Sequence, residues 1–336
     1  MLHYVANLAL VWAAVLVYRY APYYVDFLRD ETQTTLLLLA GAYTVFGFVY
    51  YLLTTASTLP RNKGLIVAYA AGKLVTASYH YAKNFTADGP NPLRALEQQE
   101  KVTLLFLTVK FFFLPLMLNF MFGNYFAMRH NFSRIDGASD LMTMEAFNSY
   151  YYPLLIAVIF LIDTAIFSVG YSFEAGFLRN KIRTVEPTML GWIVVLASYP
   201  PFNSLTNDYL SWYANDSIYF GSTVSTFIAR STIVILFLVY LSATIALGPK
   251  SSNLTNRGIV TSGPYALIRH PAYICKNTAW WIMLFPVMSV TAFASMFGWS
   301  FIYFLRAMTE ERHLGKDPDY QEYRKKVRHR FIPFVV

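Results

Sequence analysis

Long apolar runs separated by short polar connections dominate the hydropathy pattern of this chain. A bilayer core of about 30 Å is crossed by a helix of roughly 20 apolar residues, and several runs reach that length. The pattern therefore predicts an all-α, polytopic integral membrane protein. The clear candidate spans are residues 2–20, 34–55, 102–122, 150–171 and 222–247.

Three further segments carry weaker signals. Residues 65–82 contain Lys73, and residues 189–202 are short and end in a double proline, which stops a helix. We interpret the second segment as a short span or a re-entrant segment. Residues 274–308 form one long apolar stretch broken by Pro286, which predicts two helices in a hairpin. The expected total is eight or nine spans.

Composition agrees with a membrane protein. Of the 336 residues, 56% are apolar and 14% are charged, against about 25% charged in soluble domains, and the mean hydropathy is +0.39. The first apolar run lacks a basic leader and a small-residue cleavage site, so it resembles a span rather than a signal peptide. With the single cysteine Cys275 and histidines outside any metal-ligand spacing, no disulfide and no metal site are expected.

The net charge of +8 comes from basic residues in short connections and in the tail. This distribution favours a membrane surface over nucleic acid as the partner. The connection 203–221 has no Lys or Arg, whereas residues 172–187, residues 248–273 and the tail from Arg312 are basic. The positive-inside rule then places the 203–221 connection outside, and the 248–273 connection and the C-terminus in the cytoplasm.

Three charged residues, Lys110, Asp163 and Arg230, lie within apolar runs, where an isolated charge is costly. They are interpreted either as an ion or proton path, or as groups that pair with one another or extend to an interface. Three unlike residue types without regular spacing do not resemble a relay. A transporter is therefore the weaker alternative.

Polar residues gather in the segment SGPYALIRHPAY. His270 precedes a proline and is disfavoured from helical geometry, while Pro271 suits the first position of a helix. Arg269 and His270 are thus expected at a helix entrance, where free amides favour an anionic group. Tyr265 and Tyr273 add hydroxyls and aromatic faces. The alternative is a basic-aromatic anchor at the membrane interface.

The segment RAMTEERHL ends the second helix of the expected hairpin. Glu310 and Glu311 are separated by about 100° around a helix, so one can face Arg306 a turn earlier while the other meets a different cation. The alternative is a solvated acidic pair balanced by Arg312 and Lys316. The basic tail that follows, DPDYQEYRKKVRHRFIP, has the pattern of an amphipathic helix on anionic headgroups.

A hairpin whose turn lies on the far side of the membrane makes its two cytoplasmic ends neighbours. Arginine, histidine, tyrosines and two carboxylates would then meet at one mouth. Such a mouth suits a ligand that is cationic in one part and anionic in another. S-adenosylmethionine is such a ligand, with a sulfonium, an ammonium and a carboxylate.

These motifs resemble the isoprenylcysteine carboxyl methyltransferase (ICMT) family of integral membrane methyltransferases. The resemblance covers residues 248–336 and departs from the family pattern at Cys275, where a glycine is expected, and in LGKDPDY; residues 1–247 match no family and are assigned to acceptor-facing membrane helices. The matching residues are Gly263-Pro264-Tyr265, Arg269-His270-Pro271, Tyr273, Glu310-Glu311, Leu314, Tyr320, Tyr323 and Ile332-Pro333.

The resemblance implies a cytoplasmic S-adenosylmethionine pocket, capped by the tail, and a lipophilic isoprenoid or lipid-like acceptor that enters from the bilayer. Its implied cofactor-binding residues are Tyr265, His270, Tyr273, Glu310 and Glu311. Arg269 is carried over as a catalytic candidate, and Arg306 is added because of its spacing to Glu310.

The acceptor group is left open. Arg269 or Arg306 would orient a carboxylate, whereas an amine or a hydroxyl would need a base such as His270 or a glutamate. A sterol-type membrane reductase that uses NAD(P)H is an alternative, although two carboxylates suit a cofactor with several phosphates poorly. A non-enzymatic transporter or scaffold is the other alternative.

Overall fold

The computed structural model describes residues 2–53, 63–83, 92–135 and 141–332. Helices dominate these segments, with one short pair of strands between two connections. The chain divides into two compact units, Met1–Asn119 and Phe120–Val336. The functional division expected at residue 248 is a different boundary and stays a prediction. Pro333, the last residue of the Ile-Pro match, lies outside the described residues.

The first unit is built from apolar helices joined by short connections. Its polar centre is Asn119, whose side-chain oxygen accepts from the Arg29 amide (2.8 Å) and from Thr32 (3.1 Å) and whose amide group donates to the Phe27 carbonyl (3.1 Å). Asn119 thereby satisfies backbone groups between two helices inside an apolar environment. The helices are α1 (Leu2–Tyr20), α2 (Pro22–Phe27), α3 (Asp30–Leu53), α4 (Lys63–Lys83) and the first part of α5 (Gln98–Ile135).

The second unit contains the rest of α5 and the remaining elements. Its core lies between α7, α10 and α11, where Ile159, Phe237, Tyr240 and Met283 are buried together with Cys275. Its helices are α6 (Met144–Ala146), a π-helical turn (Phe147–Tyr151), α7 (Tyr152–Ser172), α8 (Met189–Leu196), α9 (Phe202–Tyr209), α10 (Thr223–Leu247), α11 (Pro271–Leu284), α12 (Val290–Leu314) and α13 (Pro318–Lys326). The antiparallel strands are β1 (Thr184–Val185) and β2 (Thr255–Asn256).

Within the described residues, six helical segments are long and apolar enough to cross a membrane. By helix length and composition, the prediction of an all-α, multi-pass membrane protein is confirmed. These six segments are fewer than the eight or nine spans expected. The six segments are Leu2–Tyr20, Asp30–Leu53, Gln98–Ile135, Met144–Ser172, Thr223–Lys250 and Val290–Leu314.

The segment 189–202 is the clearest difference from the expected spans. It forms α8 and the start of α9, two helices of eight residues each, with Pro200 and Pro201 between them. Eight residues extend only about 12 Å along a helix axis. Neither helix is therefore long enough to cross a bilayer core of about 30 Å.

Two of the charges inside apolar runs form hydrogen bonds with neutral groups and not with each other. The Asp163 carboxylate accepts from Tyr240 (2.8 Å) and Thr244 (2.7 Å). Arg230 donates to the carbonyls of Asn148 (2.5 Å) and Ile218 (3.2 Å). Such hydrogen bonds lower the cost of a charge in an apolar environment, so these contacts give the transporter alternative no support.

Candidate functional site

The entrance of α11 has the geometry expected from its sequence. His270 is the N-cap residue with non-helical backbone angles, and Pro271 is the first helical residue. The hairpin partner α12 is held against α11 by Ser300, whose hydroxyl accepts from Asn277 and from Trp281 at 3.0 Å each. The pairing places the start of α11 beside the end of α12, where Glu310 and Glu311 lie.

Glu311 is the centre of a buried ion-pair group. One of its oxygens accepts from Arg269 Nε (2.8 Å) and lies 3.2 Å from His270 Nε2, and the other accepts from Arg330 Nε (3.0 Å). Arg269, His270 and Glu311 are each about 6% exposed. We call Arg269, His270, Glu311 and Arg330 the closed cluster, because both carboxylate oxygens are occupied by protein groups.

The closed cluster fastens the tail to the α11 entrance. Arg269 Nη1 donates to the carbonyls of Val327 (2.8 Å) and Arg328 (2.6 Å). The backbone amides of Arg269 and His270 donate to the carbonyls of His329 (3.0 Å) and Arg330 (2.9 Å). A short extended segment of the tail therefore covers these two residues, which were expected to present free groups to an anion.

Helix α13 packs the preceding part of the tail onto the same entrance. Its buried face contains Tyr320 and Tyr323, which pack with Val327 and Tyr265, and the Tyr323 hydroxyl donates to the Tyr265 carbonyl (2.8 Å). Burial raises the pKa of Tyr265, Tyr320 and Tyr323. All three phenols are thus protonated and neutral at physiological pH. The tail therefore holds Tyr265 by packing against it and by a hydrogen bond to its backbone carbonyl.

A second polar group lies one residue away along α12. Glu310 is exposed and accepts from the Tyr273 hydroxyl (2.8 Å). The Tyr273 ring stacks on His270 with 5.4 Å between centroids and lies 5.3 Å from the Arg306 guanidinium carbon. We call Tyr273, Arg306 and Glu310 the open cluster, since it holds an exposed carboxylate and a cation beside one tyrosine.

Arg306 is the unusual member of the open cluster. It is 6% exposed, and its Nη2 donates to Asn253 (3.1 Å), while its Nε has no hydrogen-bond acceptor among the described residues. The rings of Tyr303 and Tyr199 lie 5.2 and 5.9 Å from its guanidinium carbon. A buried arginine surrounded by aromatic faces, with a donor left over, can take a further anionic acceptor.

The end of α12 is also fixed from the connection before α8. Arg312 Nη2 pairs with the buried Glu186 (3.1 Å), and His313 lies 2.9 Å from the Thr184 hydroxyl. Glu186 itself packs so closely on Gly191 that a Cβ there would lie 2.4 Å from its Cγ. Glycine is therefore required at residue 191 for this approach, and Arg312 balances Glu186 rather than the two glutamates expected.

Several residues in or around the two clusters had no signal in the sequence. Asn253 and Tyr199 come from connections distant in the chain, and Tyr303 looked like one of many aromatic residues of a span. Arg330 was visible only as one of the tail cations. Cys275, where the resemblance expects a glycine, packs in the apolar core of α7, α10 and α11.

Compared with known proteins, the chain matches no family model and no curated protein. The chemistry of the two clusters therefore has to follow from their own residues. In the closed cluster, both oxygens of the one carboxylate are already bound by protein cations. The open cluster offers a carboxylate to a cation and a guanidinium to an anion.

Proposed function

We propose that this chain is an S-adenosylmethionine-dependent methyltransferase of the membrane, acting on a lipophilic acceptor that carries a carboxylate. The observation that carries the proposal is the open cluster. Tyr273 contacts both the exposed carboxylate of Glu310 and the guanidinium of Arg306, whose Nε has no acceptor among the described residues. A site with one unsatisfied cation and one available anion suits a reaction between a cationic donor and an anionic acceptor.

The residues of the open cluster fit the methyl donor in charge. Glu310 would hold its ammonium or ribose hydroxyls, and the Tyr273 ring offers an aromatic face. The Tyr320 hydroxyl, buried and without a partner among the described residues, is a further polar group near both glutamates. When bound, S-adenosylmethionine supplies an electrophilic methyl group on a sulfonium.

Arg306 is the better candidate than Arg269 for orienting the acceptor. Arg269 already donates to Glu311 and to two tail carbonyls, whereas the Nε of Arg306 has no acceptor within the part of the chain that the structure describes. A carboxylate is already deprotonated, so its methylation needs no general base. The protein then has to align the carboxylate and exclude water. Arg306 would align it, and the tyrosine rings around Arg306 would exclude water.

The membrane orientation is part of the same proposal. Basic connections and the basic tail favour the cytoplasmic side for the α11 entrance. The closed cluster would then keep the tail over the site at the cytoplasmic surface, and the acceptor would arrive from the bilayer. In a Cys275→Ala background, the cysteine of Lys325→Cys should react with a membrane-impermeant maleimide only when the reagent has access to the cytoplasmic side of the membrane.

Ligand binding to the purified full chain tests the proposal. Thermal stabilisation and calorimetry should detect S-adenosylmethionine, and Glu310→Gln should weaken its affinity at least about tenfold because a charge-assisted hydrogen bond is lost. Glu322→Gln, an exposed carboxylate of α13, is the matched control and should bind like the wild type. Stabilisation by NADPH alone would favour the reductase alternative, and equal binding by the two variants would refute the assignment of Glu310.

A further inference from the structure

A basic surface pocket lies in the second unit, formed by the connections that follow α7 and α10. Strands β1 and β2 join the two connections, with Arg183 also bonded through its amide to the Asn256 carbonyl (2.8 Å). The cavity has a volume of about 380 Å³, within the range of ligand sites. Five cations line it, namely Arg179, Lys181, Arg183, Lys250 and Arg257.

Most of these cations have no carboxylate partner. Arg183 pairs with Asp317 (2.9 Å) and Asp319 (2.5 Å). The buried Arg257 instead donates to the carbonyls of Gly170 (2.5 Å) and Pro249 (3.5 Å). For the other three, no salt bridge exists within the part of the chain that the structure describes. Three of the five lining cations therefore have no paired carboxylate among the described residues.

The backbone holds the cations close to one another. Arg179 adopts a left-handed conformation with φ of 49°, which is unfavourable for a residue with a side chain, and Gly258 has φ of 96°. A Cβ at Gly258 would lie 3.3 Å from Arg183 Nη2 and 3.4 Å from Lys250 Nζ. The glycine thus lets two like charges approach the same point, an arrangement that an anion between them would stabilise.

The alternative is that these cations only balance helix dipoles. Both α7 and α10 end at this pocket, and each carbonyl end carries about half a negative charge. Asp317, Asp319 and Glu174, which attracts Arg257 electrostatically, contribute negative charge as well. Five cations still exceed these groups by about one positive charge, and more when the exposed Asp319 is screened. The helix ends therefore do not account for the pocket.

We propose that this pocket binds a phosphate monoester group. Such a group carries about 1.5 to 2 negative charges at neutral pH, and arginine binds phosphate oxygens in pairs. The pocket lies at the ends of two candidate membrane spans, Met144–Ser172 and Thr223–Lys250, a position at the level of lipid headgroups. The phosphate belongs either to a membrane lipid or to a soluble molecule. The inference rests on the pocket alone and is independent of methyl transfer.

Thermal titrations of the detergent-purified full chain distinguish the two sources. The probes are dioctanoyl phosphatidic acid, glycerol 3-phosphate and dioctanoyl phosphatidylcholine, all at matched ionic strength. Phosphatidic acid should raise the melting temperature more than phosphatidylcholine, whose phosphate is a diester. Equal affinity for glycerol 3-phosphate would identify a soluble ligand, whereas binding of the lipid alone would identify a membrane lipid.

Charge-removing variants locate the binding. Arg179→Gln/Lys250→Gln should weaken the apparent affinity for the preferred probe at least about tenfold, because two charge-assisted contacts are lost. Lys325→Gln/Lys326→Gln removes the same charge from exposed positions of α13 and should change affinity less than twofold. If the double variant fails to fold, the single variant Arg179→Gln, at an exposed position, is used for the same affinity measurement. Equal affinity in pocket and control variants, or no binding of either phosphate monoester, would overturn the proposal.

Discussion

The closed and open clusters contain adjacent residues of α12, Glu311 and Glu310. The two carboxylates nevertheless differ in burial and in the number of their protein partners. Glu311 points to Arg269, His270 and Arg330 and has protein partners on both oxygens. Glu310 is exposed and accepts from one tyrosine. The angle of about 100° between successive helical side chains is enough to separate them.

This difference helps to distinguish a stabilising group from a ligand-binding group. Buried polar groups in folded proteins are almost always hydrogen-bonded, so a fully satisfied group needs no ligand to explain it. The closed cluster meets this condition, and its contacts end on the tail. Arg306 does not meet it, because its Nε has no acceptor in the described segments. We therefore expect the closed cluster to stabilise the protein, and the proposed function places ligand contact at the open one.

The largest expected effect separates the two glutamates directly. Glu311→Gln should destabilise the protein by about 3–5 kcal/mol, because Arg269 and Arg330 then lose the buried charge that they share. Glu310→Gln should change stability by less than about 1 kcal/mol, since it removes an exposed carboxylate. Thermal unfolding of both variants in the same detergent measures the difference.

Accessibility of the tail provides the control for this comparison. In Glu311→Gln a protease should cleave the segment after α13 faster than in the wild type, while Glu310→Gln should retain wild-type cleavage. Similar unfolding temperatures and cleavage rates in the two variants would show that the clusters do not differ in this way.

The next effect tests the open cluster through Arg306. If Arg306 orients the acceptor carboxylate, Arg306→Gln should lower kcat/KM for methyl transfer by about 10²- to 10³-fold. Arg306→Lys should restore little, because an ammonium lacks the planar paired donors of a guanidinium. Binding of S-adenosylmethionine should be retained in both variants. Activity near the wild-type level in Arg306→Gln would assign the acceptor to another group.

Much of this arrangement was predictable because it depends on local sequence. The lengths of apolar runs predict spans directly, and a proline after His270 fixes the start of α11. The break at Pro286 predicts a hairpin, and a hairpin brings the start of α11 to the end of α12. The expectation that Arg269, His270 and the glutamates meet follows from these local signals.

The remaining features depend on contacts between distant segments. Spacing suggested Arg306 as a partner of Glu310, and the two do interact electrostatically. The hydrogen bond from Arg306 to Asn253 could not be predicted, because Asn253 lies in a connection that no local pattern marks. The extended tail segment that covers Arg269 looked like part of an amphipathic helix. Residues 189–202 were short and ended in two prolines, so the sequence left a short span and a re-entrant segment open; the structure forms two helices of eight residues there.

A smaller effect sharpens the role of Tyr273. Tyr273→Phe keeps the ring beside Arg306 and removes only the hydroxyl that donates to Glu310. Affinity for S-adenosylmethionine should fall about three- to tenfold, the contribution of one hydrogen bond that positions the carboxylate. Tyr209→Phe, at a tyrosine that is 89% exposed, should leave affinity unchanged. A loss as large as that of Glu310→Gln would mean that the hydroxyl itself contacts the ligand.

The smallest effect concerns the start of the tail helix, at Asp317. Burial raises its pKa, but hydrogen bonds from Asn256 and Arg183 outweigh burial, so the pKa lies below its usual range. A lowered folded-state pKa gives stability that is present above the unfolded value of about 3.9 and is lost as pH falls through the folded value. Because Arg183 is 48% exposed, we expect at most about 1 kcal/mol. Wild type should therefore unfold at a higher temperature than Asp317→Asn at pH 6, and the gap should close toward pH 3; a gap independent of pH would show that the charge of Asp317 does not help to hold the tail.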